Sequence, residues 1–238
     1  MIDPDGNQIS FSFEYEKDAD GNDVVDKDGN KNLTGITMTV TGRVLNISNK
    51  DVDKDDAISE ISSKIKSSFS GTSEDGIKFN TVVNLTEAKS IDDVNESDHV
   101  FALADIDTKN IGRLFGQDEF GNNKVEVTGA SNQPGGRVAI LDVDYFRGLY
   151  DTSIGSTGER TAAHELGHLL SLGHKGGVFN LMRSGGFGTN LTESQISTII
   201  KNIEYDGDRI NRGSNFVIIP IVGKKKLNTG QATPLIKN

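Results

Sequence analysis

A short window that carries three of the four histidines constrains this chain more than any other feature. The window spans residues 162–174 and reads Ala-Ala-His-Glu-Leu-Gly-His-Leu-Leu-Ser-Leu-Gly-His. On a helix of 3.6 residues per turn, His164 and His168 lie one turn apart on the same face. Two imidazoles at this spacing can bind one metal ion while the backbone stays helical.

The neighbouring residues complete a pattern that is typical of metal-assisted hydrolysis. Glu165 directly follows the first histidine, as in the arrangement H-E-x-x-H, where zinc lowers the pKa of a bound water and the Glu accepts its proton. His174 is available as a third ligand if the chain turns before it. Gly173 can adopt a left-handed or otherwise unusual backbone conformation at little cost, so we predict the turn there. H-E-x-x-H alone also arises by chance, and a lone His is usually structural, but three within eleven residues are not easily explained that way.

The window resembles the signature H-E-x-x-H-x-x-G-x-x-H of the metzincin zinc peptidases. This resemblance implies that the three histidines bind Zn²⁺ and that Glu165 is the general base. It also implies that Met182, in Asn-Leu-Met-Arg, supports the site from a tight loop called the Met-turn. The chain departs from the signature at Ser171, where the family has Gly, and we expect Gly173 to compensate. A second departure is the Arg-Ser at 183–184, where some branches carry a zinc-contacting Tyr.

The order of the predicted elements is also the one that a metzincin catalytic domain implies. Strands are predicted at 33–47, 77–85, 99–105 and 137–143, and helices at 56–69, from 157, and from 192 to about 207. We therefore predict an α/β (α+β) fold. It has a twisted mixed sheet, an antiparallel edge strand at 124–128, the histidine helix, a Met-turn and a C-terminal helix. Residues 1–32 form an N-terminal extension with a hairpin, 33–206 the catalytic domain, and 207–238 a C-terminal extension.

Composition limits which metal ligands and which binding partners this chain can have. The 238 residues include no cysteine, so thiolate ligands are excluded and the metal must rely on His and carboxylate side chains. The net charge of −10 argues against a nucleic-acid partner. No apolar run approaches the length of a membrane span. The fourth histidine, His99, lies beside an apolar run and is predicted to be structural or at the surface, not a ligand.

The N-terminal segment is rich in Asp, Gly and Asn. Three similar stretches, at 3–7, 18–22 and 26–30, favour hairpin turns. Calcium binding is the alternative, although an EF-hand loop needs its Gly at the sixth position and these stretches have it at the fourth. The opening Ile-Asp-Pro-Asp-Gly-Asn also resembles the motif that closes the core of RHS-repeat proteins, where a variable domain, often a toxin, follows. That resemblance implies an effector delivered outside the producing cell as part of a larger chain, with a cognate inhibitor.

We therefore predict a zinc endopeptidase in which an extended peptide pairs with the edge strand at 124–128. Two alternatives stay open. One is a zinc amidase that acts on cell-wall or small-molecule amides, which a narrow, closed cleft would favour. The other is a non-enzymatic surface module with structural zinc, which a closed fourth coordination position would favour, although Glu165 argues against it.

Overall fold

A mixed sheet with helices packed against it forms the frame of the protein. The computed structural model describes residues 9–48, 50–94, 98–104, 129–131, 136–147, 157–184, 188–205, 217–221 and 224–228. The strands of the main sheet are β1 (Ile9–Tyr15), β2 (Leu33–Asn46), β3 (Gly71–Thr72), β4 (Lys78–Ala88), β5 (His99–Ala104), β6 (Gly129–Ser131) and β7 (Val138–Asp142). The α-helices are α1 (Lys54–Ser68), α2 (Gly158–Leu169) and α3 (Glu193–Tyr205), and β8 (Val217–Ile221) and β9 (Lys224–Asn228) pair as a separate antiparallel sheet.

The strand order of the main sheet is β3-β4-β2-β5-β7-β6, and β1 also pairs with β2. The central strands β4, β2, β5 and β7 run parallel to one another. The three remaining strands, β1, β3 and β6, pair antiparallel. The predicted α/β class, with a mixed sheet and an antiparallel strand at its edge, is confirmed. The sequence-predicted edge strand at 124–128 lies outside the described residues, and the described strands at the two ends of the order are β3 and β6.

Strands β5 and β7 are buried on both faces, which explains their continuous apolar sequence. Alternate residues of these strands face opposite sides of the sheet. The side chains that join the helices in the main core are Phe101, Leu103, Ala139 and Leu141. Those that form a smaller cluster on the other face are Val100, Ala102, Val138 and Ile140. His99 begins β5 and is buried, and it does not belong to the group of converging histidines.

Helix α1 begins two residues earlier than its sequence pattern indicated. Asp53 is its N-cap, and the carboxylate accepts a hydrogen bond from the backbone N–H of Asp56. Asp55 and Asp56 lie in the first helical turn, where acidic side chains stabilise the positive end of the helix dipole. Ile61 and Ile65 point into the core from this helix.

Two of the three N-terminal Asp-Gly-Asn stretches, at 18–22 and 26–30, form turns, as the hairpin interpretation predicts, and the stretch at 3–7 lies outside the described residues. The Asp18 carboxylate accepts hydrogen bonds from the backbone N–H groups of residues 20 and 22, and Asp26 does the same for residues 28 and 30. Gly21 and Gly29 have positive φ angles of 84° and 85°. Strand β1, from the proposed N-terminal extension, is paired with β2. The domain boundaries and calcium binding stay predictions.

Candidate metal centre

Helix α2 holds the first two histidines of the site. Its N-cap is Thr157, whose side chain accepts from the backbone N–H of Arg160, and the helix runs to Leu169. The helix lies beside β6 and β7 and buries its apolar side chains in the main core. His164 and His168 therefore project one turn apart, as their spacing predicted.

The chain reverses after α2 at Ser171, so the prediction of a turn at Gly173 is wrong. Ser171 has a φ of 67°, whereas Gly173 does not have a positive φ. The backbone N–H of Leu172 donates to the Gly167 carbonyl, and that of Ser171 donates to the His168 carbonyl, both at 2.9 Å. These two bonds form a Schellman motif, which requires a left-handed residue directly after the C-cap. The position is the one where the metzincin signature has Gly, and here Ser adopts the same conformation.

The reversal brings His174 back to the other two histidines. The Nε2 atoms of His164 and His168 lie 3.1 Å apart, those of His168 and His174 3.2 Å, and those of His164 and His174 3.3 Å. For zinc–nitrogen bonds of about 2.0–2.1 Å at tetrahedral angles, ligand nitrogens lie roughly 3.3–3.4 Å apart. Among the described residues, this triad is the one group of three or more His or acidic side chains whose ligand atoms converge. The triangle of nitrogens therefore fits zinc.

Hydrogen bonds at the far side of two rings fix which nitrogen carries the proton. Nδ1 of His164 lies 2.8 Å from the Leu181 carbonyl, and Nδ1 of His168 lies 2.8 Å from the Leu172 carbonyl. A carbonyl only accepts hydrogen bonds, so in the neutral rings both Nδ1 atoms are protonated and both Nε2 atoms carry a lone pair. Two lone pairs that face each other at 3.1 Å repel unless a cation lies between them. The donor set and its orientation are those of a metal site.

Burial keeps these imidazoles in the neutral form that a metal needs. Desolvation lowers the pKa of His164 to about 4, although its bond to the Leu181 carbonyl acts in the opposite direction. Desolvation also lowers the pKa of His168. At neutral pH the metal does not have to displace a proton from either ring.

Glu165 lies beside the triad and against the edge strand of the sheet. The residue is 6% exposed, and its side chain accepts hydrogen bonds from the hydroxyl and the backbone N–H of Ser131 in β6. Desolvation raises the pKa of Glu165 to about 7, and the two bonds from Ser131 partly oppose that rise. A carboxyl with a pKa near the working pH can accept and return a proton efficiently.

Gly129 allows helix α2 to approach β6 closely enough for this contact. A Cβ at Gly129 would lie 2.4 Å from Cγ2 of Thr161 and 3.2 Å from Cγ of Glu165. A larger residue there would separate the helix from the strand. The contribution of Gly129 and Ser131 was not found in the sequence, because a three-residue strand carries no periodic signal.

Met182 packs beneath the histidine helix. It is fully buried, and a Cβ at Gly167 would lie 2.3 Å from its sulfur. The backbone N–H of Met182 donates to the side chain of Asn180, whose amide exchanges hydrogen bonds with Gln195 of α3. A capping box starts α3 at Thr192, where the sequence predicts the helix to begin: Gln195 Oε1 accepts from the Thr192 backbone N–H, and the Thr192 hydroxyl accepts from the Gln195 backbone N–H. The loop that carries Met182 is thus attached to both α2 and α3.

Comparison with solved structures found a match to the crystal structure of archaemetzincin from Methanopyrus kandleri. The TM-score is 0.43 and the sequence identity 16%, and the match covers 68% of this chain and 94% of that chain. No family model and no curated protein matches this sequence.

Proposed function

We propose that this protein is a zinc-dependent endopeptidase of metzincin type. The observation that carries the proposal is the convergence of three Nε2 atoms within 3.3 Å of one another beside a buried carboxyl group. The donor set comprises His164, His168 and His174. A structural zinc site would not need Glu165, which is not one of the converging ligands.

Each residue of the site has a separate task in the proposed reaction. When bound, zinc supplies Lewis acidity, which lowers the pKa of water and polarises the scissile carbonyl. Glu165 accepts the proton of the attacking water and later donates it to the leaving amine. The bonds from Ser131 hold the carboxyl group in one orientation for both transfers. Met182 supports the helix that carries two of the ligands.

The substrate is proposed to bind along β6. This strand is the last in the described sheet on that side, and it lies next to Glu165 through Ser131. An extended peptide can pair with such an edge through backbone hydrogen bonds, which favours peptides over small amides. The part of the edge at 124–128 that we predicted to take the substrate lies outside the described residues.

Delivery outside the producing cell and a cognate inhibitor belong to the same proposal. Their support is the resemblance of residues 2–7 to the RHS closing motif, which lies outside the described residues. In the part of the chain that the structure describes, no helix has the length and apolar character to cross a membrane. Expression in a bacterial host, in the cytoplasm and with an export signal, tests the toxin role. Equal growth of wild-type and Glu165→Ala strains in both compartments would contradict it.

The experiment that tests the catalytic proposal combines metal analysis with a peptide-library cleavage assay. We expect one zinc per chain in the wild type and in Glu165→Ala, because Glu165 is not a ligand. Cleavage should fall by about 10²–10⁴-fold in that variant. Glu159→Ala is the matched control, since Glu159 lies in the first turn of the same helix, and it should cleave as the wild type does.

Three results would refute the proposal. Protein that neither contains nor takes up a transition metal would exclude the metal centre. Near-wild-type cleavage by Glu165→Ala would exclude the general base. Hydrolysis of cell-wall or small amides with no peptide cleavage would identify the amidase alternative.

A further inference from the structure

Helix α2 contains a buried positive charge that the proposed reaction does not use. Arg160 lies one turn before His164, and the residue is 4% exposed. Among the described residues, no carboxylate forms an ion pair with it. Its guanidinium group donates instead to three backbone carbonyls. They belong to Gly188 at 2.9 Å, Leu181 at 3.1 Å and Arg183 at 3.1 Å.

One of these carbonyls is shared with the metal centre. The Leu181 carbonyl accepts from Arg160 and also from Nδ1 of His164, at 2.8 Å. A carbonyl oxygen has two lone pairs and can accept both bonds. The position of this oxygen sets the direction of the His164 ring, because the ring has one proton on Nδ1 and directs it at the carbonyl.

The loop around Met182 approaches Arg160 from two directions. The Leu181 and Arg183 carbonyls flank Met182, and the Gly188 carbonyl comes from a segment that lies directly against residues 179–180. A Cβ at Gly188 would lie 2.2–2.3 Å from backbone atoms of Phe179 and Asn180. A planar guanidinium group can donate to acceptors in several fixed directions, whereas a lysine ammonium is a single point of charge. The geometry therefore requires Arg specifically.

We propose that Arg160 is a positioning residue for the metal centre, and that it orients the ligand His164 by holding the Leu181 carbonyl in place. The inference rests on the proposed metal centre and identifies what aligns one of its ligands. Burying a charge without a counter-ion is unfavourable unless its donors are all well bonded. If Arg160 only closed the loop, an apolar side chain of similar length would do so without this cost.

The test compares Arg160→Lys and Arg160→Met with the wild type. Zinc affinity is measured by chelator competition, and ligand geometry by the absorption spectrum of the Co²⁺-substituted protein. The Nδ1–H signal of His164 is followed by NMR in metal-free protein labelled at histidine. We expect a 10–100-fold loss of zinc affinity, as for other residues that orient ligands, a changed Co²⁺ spectrum, and a weakened Nδ1–H signal in both variants.

A purely structural role would give a different result. Leu45→Ala is the matched control, because Leu45 is buried in the smaller cluster on the other face of the sheet, which contains no residue of α2 or of the Met182 loop. It should lower the melting temperature and leave zinc affinity and the Co²⁺ spectrum unchanged. Wild-type affinity, spectrum and Nδ1–H signal in Arg160→Lys, which keeps the charge and is expected to fold, would overturn the proposal. If the wild type itself binds no metal, the proposed function fails, and the Nδ1–H signal still decides the role of Arg160.

Discussion

Replacement of Ser171 by Gly should stabilise the protein, because Ser171 adopts a backbone conformation that suits glycine. Its φ of 67° places it in the left-handed region, where a side chain costs about 1–2 kcal/mol. No hydrogen bond from its hydroxyl to another described residue offsets this cost. Glycine removes the steric cost but loses about 0.5–1 kcal/mol more backbone entropy on folding. The difference predicts a gain of about 0.5–1 kcal/mol in the free energy of unfolding.

Thermal and urea unfolding of the metal-free protein measures this gain. For a chain of this size, about 1 kcal/mol raises the melting temperature by about 2–4 °C, so Ser171→Gly should raise it by about 1–4 °C. Zinc affinity should not change, because glycine can keep the same φ and the same two Schellman hydrogen bonds. An increase in the slope of unfolding against urea would instead indicate a change in compactness.

Gly173→Ala is the control that distinguishes the two turn positions. Gly173 has no positive φ, and a Cβ there would meet no atom within 4 Å. Alanine should therefore be tolerated and should stabilise by about 0.4–1 kcal/mol through the unfolded state. If the chain turned at Gly173, both predicted changes in stability would reverse sign. Gly173→Ala would destabilise the protein, and Ser171→Gly would destabilise it through backbone entropy alone. That pair of results would refute the turn described here.

Three further predictions concern the surroundings of the site. Met182→Leu conserves volume, so the free energy of unfolding should fall by less than ~1.5 kcal/mol, with a correspondingly small change in melting temperature and zinc content. Gly129→Ala places a Cβ 2.4 Å from Thr161 and should cost about 1–3 kcal/mol in urea unfolding, with reduced cleavage. The folded-state pKa of Glu165 is about 7, above its ordinary 4.5, so between these pH values the metal-free folded protein binds more protons than the unfolded chain. Its stability therefore falls as pH rises from 4.5 to 7. Glu165→Gln should remove that loss, at most about 3 kcal/mol, so the difference in free energy of unfolding between the variant and the wild type should change by about this amount between pH 4 and pH 8.

The helices and strands of the core could be predicted from sequence because their signals are local. Helix α3 is an example: its Thr192–Gln195 capping box and the spacing of Ile196, Ile199 and Ile203 define its start and its buried face. The pairing of strands could not be predicted in the same way. Strand β1 adds to β2 through residues separated by the two Asp-Gly-Asn turns, and such long-range pairing leaves no periodic trace.

The candidate site also has a part that local sequence signals predict and a part that depends on long-range packing. The three histidines and Glu165 lie within eleven residues: helical spacing groups His164 and His168, Glu165 is adjacent to the first, and His174 is close in sequence. Ser131 lies 34 residues before Glu165 and joins the site only because β6 occupies the sheet edge beside α2. The role of Arg160 could not be predicted, because its partners are backbone carbonyls. Every residue has a backbone carbonyl, so no sequence motif identifies these partners.

The error over the turn shows how tertiary contacts override local preference. Conformational preference alone favours Gly173 over Ser171 as the left-handed residue of the turn by about 1 kcal/mol. A helix extended to Gly173 would rotate the following residues by about 200° and advance them by about 3 Å, so His174 could not return to the other histidines. It would also lose the packing of Leu172 against Gly167, where a Cβ would lie 3.8 Å from Leu172 Cδ1. Two Schellman hydrogen bonds, each contributing about 1 kcal/mol, together with this contact outweigh the strain at Ser171. The conformation of Ser171 therefore follows from the packing of Leu172 and the position of His174 more than from its own residue type.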